Sequence, residues 1–386
     1  MNKRKKLLSW VLTIAMLFSL VTALSITANA EDSYDAVINV VDGTGTGSGW
    51  TFASGEIWIN ENGSYLISGG GIQTTNRVRV KTGVTAAVTL DNVNIAINLP
   101  FEVGGTANVT MILPDDSSNT FTSSAGHAGI RVQPSATLTI TTEGQPLGNG
   151  MLTATGSADS SSHWATAGIG GSELEASGTI IINGGIIFAN GGNGRPPGSW
   201  TGPGAAGIGG AQGRSCGDIT INGGTVTAIG GNVNPEGAGI GGGSSDPLKF
   251  SGKITINGGT VRAYSGQSGA SGTGIGFCET IAIANTADVK AYSSGNYPAI
   301  YGTTATSGHT AFLLNFMLDS AALADTEITI TQKDDEEDTF ELVLLTGYKN
   351  FAATVETSNN YTAALSDDSK KIVSLPDEDT DFPGIC

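Results

Sequence analysis

Ile219-Thr-Ile-Asn222-Gly-Gly-Thr-Val226-Thr-Ala228 decides the fold, because the chain says it again on either side. Upstream it reads Ile180-Ile-Ile-Asn183-Gly-Gly-Ile-Ile187-Phe-Ala189, and downstream Ile254-Thr-Ile-Asn257-Gly-Gly-Thr-Val261-Arg-Ala263. Within each copy apolar and polar positions alternate with a period of two, which is the pattern of strands and not of helices. Asn-Gly-Gly between the two short strands supplies the backbone freedom of a tight corner. The first isoleucine lies seven residues before Ile187, Val226 or Val261 in every copy, so this corner is fixed. A worn copy follows at Ile281-Ala-Ile-Ala284 and Val289-Lys-Ala291, and an earlier one starts at Leu138-Thr-Ile140 and resumes at Leu152-Thr-Ala154.

A second motif alternates with the first. Gly-Ile ends at Ile130, Ile169, Ile208, Ile240 and Ile275, then Ala-Ile at Ile300, spaced 39, 39, 32, 35 and 25 residues apart. A constant corner with elastic connections is what a stacked solenoid tolerates. The expected fold class is therefore all-β, a parallel β-helix with three short strands per turn. Ile182, Ile221, Ile256 and Ile283 would form one inward column, and Asn183, Asn222 and Asn257 would stack amide on amide. A β-sandwich with glycine-rich hairpins is the competing architecture. Alternating strands at Ile57-Trp-Ile59, Tyr65-Leu-Ile67, Val78-Arg-Val80, Val88-Thr-Leu90 and Val109-Thr-Met111 place an N-terminal cap and irregular first turns over residues 31–127. Regular repeats then occupy 128–305, a small antiparallel β unit 306–375, and an acidic, disordered tail 376–386.

Composition narrows the function. Of 386 residues 57 are Gly and only 14% are charged, and the net charge is -17. That sign repels phosphate backbones, so no nucleic-acid partner is expected. Lys3 to Lys6, the apolar run Leu7 to Leu24 and Ala28-Asn29-Ala30 read as a secretory signal peptide over 1–30. The mature chain is expected to be a secreted monomer with no membrane span and no recognisable wall-sorting or lipid-attachment signal. Three cysteines, Cys216, Cys278 and Cys386, offer no Cys-x-x-Cys pair for zinc. Cys216 and Cys278 each precede a strand's first isoleucine by three residues, with Ser251 at that offset in the rung between. Two rungs are about 9–10 Å, beyond disulfide reach of roughly 7 Å, so both are expected to be free thiols.

The repeats, notably Ala238-Gly-Ile-Gly-Gly-Gly and Gly252-Lys-Ile-Thr-Ile-Asn-Gly-Gly-Thr, resemble those of exported glycine-rich β-helix surface proteins of Gram-positive bacteria. Tyr65-Leu-Ile-Ser-Gly through Val88-Thr-Leu-Asp-Asn-Val-Asn94 is similar to that family's opening. The resemblance spans about residues 55–365 and implies a right-handed helix, a cell-surface role and carbohydrate binding. A related group carries Gly-Asp-Gly-Ile and binds calcium, but Ala128, Ala167, Ala206 and Ala238 stand at the matching position here.

Chemistry is sparse in the sequence. Lyases and hydrolases need clustered acids on one outward face. Asp218 above Lys253 reads as a neighbouring-rung ion pair, Glu173 and Glu175 share a loop, and Glu236 and Asp246 are ten apart, none with a clear partner in register. His127, His163 and His309 fall in separate repeats without ligand spacing. The acidic run Asp334 to Asp338 is a place for calcium or a solvated hairpin tip. Outward threonines such as Thr220, Thr225 and Thr255 form columns that Ile181, Phe188 and Arg262 interrupt, against a flat ice-binding array. Aromatics are the better lead. Trp164 and Trp200 precede Ala-Gly-Ile-Gly-Gly in successive repeats, so register puts both on one edge, where indole faces can stack on sugar rings. His163 and Arg195 lie near them to bond hydroxyl or carboxylate groups; alternatively each Trp packs its loop against the wall. The expectation is a non-catalytic carbohydrate-binding surface protein without a resident metal or cofactor. A stalk or adhesin segment without sugar binding is the alternative, and a polysaccharide lyase the third reading.

Overall fold

A computed structural model of the chain describes residues 34–143, 148–160, 162–195, 202–233, 235–243, 251–267, 271–284 and 286–304. It continues with Tyr348, Lys349 and the strands Phe312–Leu318, Thr326–Gln332, Asp335–Leu344, Asn350–Val355, Tyr361–Leu365 and Ile372–Ser374. Residues 1–30, where a signal peptide is expected, Trp200, Asp246, His309, Asp334 and residues 376–386 lie outside the described residues.

Every described element is a strand, and most pairing is parallel between one repeat and the next. Three strand faces wind into a solenoid around one core. On the first face Ala36, Tyr65, Val88, Met111, Ile140, Ile182, Ile221, Ile256 and Ile283 stand in register. The second face aligns Ile57, Val78, Phe101, Ile130, Ile169, Ile208, Ile240, Ile275 and Ile300. The third aligns Thr74, Ile95, Phe121, Ala154, Ala189, Ala228, Ala263 and Ala291. These columns are buried, so each rung covers the apolar side chains of its neighbour, and a single rung has nothing to bury them against.

The two motifs have separate physical reasons. At the Asn-Gly-Gly corner Asn222 Nδ2 donates to Asn183 Oδ1 and Asn257 Nδ2 to Asn222 Oδ1, both at 2.8 Å, so the expected amide ladder is present. In Gly-Ile-Gly the second glycine holds φ of +136°, +131° and +137° at Gly170, Gly209 and Gly241. A Cβ on any of them would collide with the backbone carbonyl of the next rung. Only glycine fits these three positions of the column.

Near the start, Thr44–Gly47 and Trp50–Ala53 run antiparallel against Ala36–Asn39 and Glu56–Ile59 and flank the first rung. At the other end Asn350–Val355 pairs antiparallel with Ala287–Ser293 and so continues the third face, where Phe351, Tyr292, Tyr264 and Tyr348 pack ring on ring. Strands Asp335–Leu344, Thr326–Gln332 and Tyr361–Leu365 form a separate antiparallel sheet. Among the described residues no helix is long and apolar enough to cross a membrane.

The cysteine expectation fails. Cys216 and Cys278 form a disulfide with Cα atoms 5.9 Å apart. The strand register is as read, Ile219 to Ile254 to Ile281, so the misjudgement lies in the column three residues earlier. Ser251 is exposed there, while both cysteines are buried. The connection from Ile240 to Ile254 is the longest of the three in sequence, and Ser251 near its end is exposed. That from Ile275 to Ile281 is the shortest and takes Cys278 directly inward past Phe277, whose φ is +58°. Equal offset from a strand stacks residues only where the connections match in length.

Candidate functional site

Ser157 and Thr166 bound a connection that leads from the third face to the second. Its ends are closed by Thr166 N–H to Ser157 O (3.0 Å) and Ser157 N–H to Thr166 Oγ1 (2.8 Å), and Thr166 Oγ1 donates to His127 O (2.6 Å). At the tip Ser160 N–H donates to His163 O (2.7 Å) and His163 N–H to Ser160 Oγ (3.2 Å). Ala165, fully buried, donates its N–H to Gln212 Oε1 at 2.8 Å. Trp164 therefore sits between two pinned neighbours, and its side chain is 44% exposed.

Two of the other expected site residues join it. His163 Nδ1 stands 3.5 Å from Glu173 Oε2, with Gly126 beneath the pair, where a Cβ would crowd both groups. Arg195, one rung on, donates Nη2 to Asp159 Oδ1 at 2.7 Å, and that carboxylate is almost entirely buried. Asp159 in turn donates its N–H to Asn193 O (2.7 Å), so Arg195 is clamped to the Trp164 loop. The fourth, Trp200, is outside the described residues. Gln212 Nε2 is buried without a hydrogen-bond partner among the described residues, tucked close under Gly202.

A charged ladder on the second face escaped the sequence reading. Trp58, Arg79, Glu102 and Arg131 stack outward in consecutive rungs. The Arg79 guanidinium lies 4.3 Å from the Trp58 ring centroid, a cation–π contact. Glu102 accepts from Arg79 Nε, from Arg131 Nη1 (2.7 Å) and from Gln133 Nε2 (2.8 Å), and is only 3% exposed. Arg131 then grips Glu175 with two bonds, 3.0 and 2.6 Å. Glu173 and Glu175 thus have partners, His163 and Arg131, contrary to expectation. The signal was available: Ile57-Trp-Ile59 and Val78-Arg-Val80 are both in the sequence, and aligning their isoleucine and valine with Phe101 and Ile130 exposes the column. With both Glu102 oxygens held by cations, the ladder is suited to binding rungs together and poorly suited to proton transfer.

His127 borders this ladder, half-buried, its Nδ1 without a partner among the described residues. Burial first, then the Arg131 charge, hold it below the usual histidine range, with Arg77 adding and Glu102 and Glu175 opposing. Asp218 reaches the backbone N–H of Lys253 at 3.0 Å, and no Asp218–Lys253 ion pair forms among the described residues. Glu236 is buried and accepts Ser271 N–H at 3.0 Å. Among the described residues no three His, Cys, Asp or Glu side chains gather as a metal site. Comparison with family models, with curated proteins and with solved structures finds no match to the chain.

Proposed function

We propose that this is an exported, right-handed β-helix that binds carbohydrate through its loop edge and performs no catalysis. The observation that carries the reading is the exposed Trp164 indole on a loop hydrogen-bonded on both sides. An exposed aromatic that is already ordered offers a flat apolar face at little entropic cost to the complex. His163 next to it in the chain, Glu173 in contact with His163, and Arg195 clamped to the same loop offer donors and acceptors suited to hydroxyl groups. A disulfide between Cys216 and Cys278 is the chemistry of an oxidising compartment, which supports export independently of the leader sequence.

A glycan array probed with the wild type, Trp164→Ala and Trp200→Ala tests the reading. Wild type should bind a defined subset of glycans and Trp164→Ala should lose at least about tenfold in affinity, the scale of an aromatic stacking contact. No binding by wild type would leave the stalk or adhesin reading standing. Release of unsaturated or reducing sugar ends from a bound polymer would make the molecule an enzyme and overturn the non-catalytic reading.

A further inference from the structure

One segment connects the two features described above. Ser172, Glu173, Leu174 and Glu175 form a turn closed by Glu175 N–H to Ser172 O at 2.8 Å. Leu174 is its third residue and holds φ of +60°, a conformation natural to Gly or Asn at that place and unfavourable for a bulky side chain. The residue is 44% exposed, so its burial is incomplete. The segment is tied at every neighbouring point. Ser172 Oγ accepts Ala128 N–H (3.1 Å), Glu173 N–H donates to Gly126 O (3.1 Å), and Glu175 is gripped by Arg131. A partly exposed leucine is thus held in an unfavourable conformation by the bonds of its neighbours, and such outliers gather at binding sites.

Its surroundings give it one. The His163–Glu173 contact brings the two loops together, and one residue along each loop from that contact stand the exposed Trp164 and the exposed Leu174. An apolar ring, an acceptor carboxylate one-third exposed and a branched apolar side chain thus all lie within one residue of a single contact. A net charge of -17 disfavours polyanionic sugars.

We propose that the edge selects a 2-acetamido sugar: the pyranose ring on Trp164, the amide N–H on the Glu173 carboxylate and the acetyl methyl against Leu174. The inference rests on the carbohydrate-binding reading and names its substrate class. The test is calorimetric titration with the β-1,4-linked tetramers of N-acetylglucosamine and of glucose. Wild type should prefer the acetylated tetramer, and Leu174→Gly should weaken that ligand about fivefold, the worth of one buried methyl, without changing the other. Leu174→Gly should melt at or above the wild-type temperature because it removes the unfavourable φ, and Leu174→Asn should show the same loss of preference. Equal weakening of both tetramers, no weakening, or a wild type indifferent to the acetyl group would overturn the selection while Trp164→Ala still reports sugar binding. Failure of wild type to bind either tetramer or any arrayed glycan would overturn both readings.

Discussion

At the scale of single residues the solenoid is set by side chains that are absent as much as by those present. Gly209 holds a positive φ and faces the Gly241 carbonyl across one rung. Gly209→Ala should cost at least about 2 kcal/mol by urea unfolding. Gly213→Ala, where a Cβ meets open space despite a φ of +70°, should cost only about 1 kcal/mol. Equal effects would show that the carbonyl approach is not what restricts the Gly209 position. His127 makes a pH prediction. Burial and the Arg131 charge depress its folded pKa, so between the unfolded value near 6.5 and that lower folded value the unfolded chain binds more protons. Its penalty is absent above pH 7 and grows as pH falls through that window, reaching full size below the folded value. His127→Gln should therefore lose less thermal stability than wild type between pH 7 and 5; parallel melting curves would contradict this. Such residue-scale facts were only partly legible in the sequence. Trp164 announced itself by its place before Ala-Gly-Ile. The strain at Leu174 did not, since a leucine between two glutamates carries no sign of the φ it will adopt.

Elements were the most readable level, because strand period and corner recur together. The pairing of Ile180, Ile219 and Ile254 follows from the seven-residue corner alone. The Asn183–Asn222–Asn257 ladder follows from the same alignment. Asn222→Ala removes both of the ladder's bonds and should cost about 1 kcal/mol in denaturant unfolding, the net worth of exposed neutral hydrogen bonds. Asn193, Asn232 and Gln267 form a second ladder, in which Asn193 and Asn232 side chains each accept the next rung's backbone N–H, at 2.9 and 2.7 Å. Its members differ in chemistry and sit beside connections of unequal length, which hid them. Unequal connections also explain the misread cysteines: local spacing says where a residue leaves a strand, not how far a neighbouring loop pushes it. The disulfide closes 62 residues and should contribute about 4 kcal/mol on the loop-entropy scale. Melting with and without reductant, compared with Cys216→Ser/Cys278→Ser, measures this; an unchanged melting temperature would show that the bond does not constrain these rungs.

For the whole molecule, the question is whether one register runs from the first rungs to the last, since the Trp164 edge, the charged ladder and the disulfide all inherit their positions from it. The third face offers a direct ruler. Thr120, Thr153, Phe188, Thr227, Arg262 and Lys290 stand in one continuous column. Spin labels at Thr120 and Lys290 are five rungs apart and those at Thr153 and Lys290 four. At about 4.8 Å per rung, dipolar spectroscopy on a Cys386→Ser background should give narrow distributions near roughly 24 and 19 Å. Two distances that fail to differ by about one rung, or a broad distribution in either pair, would contradict the stacked solenoid and everything placed on its edge.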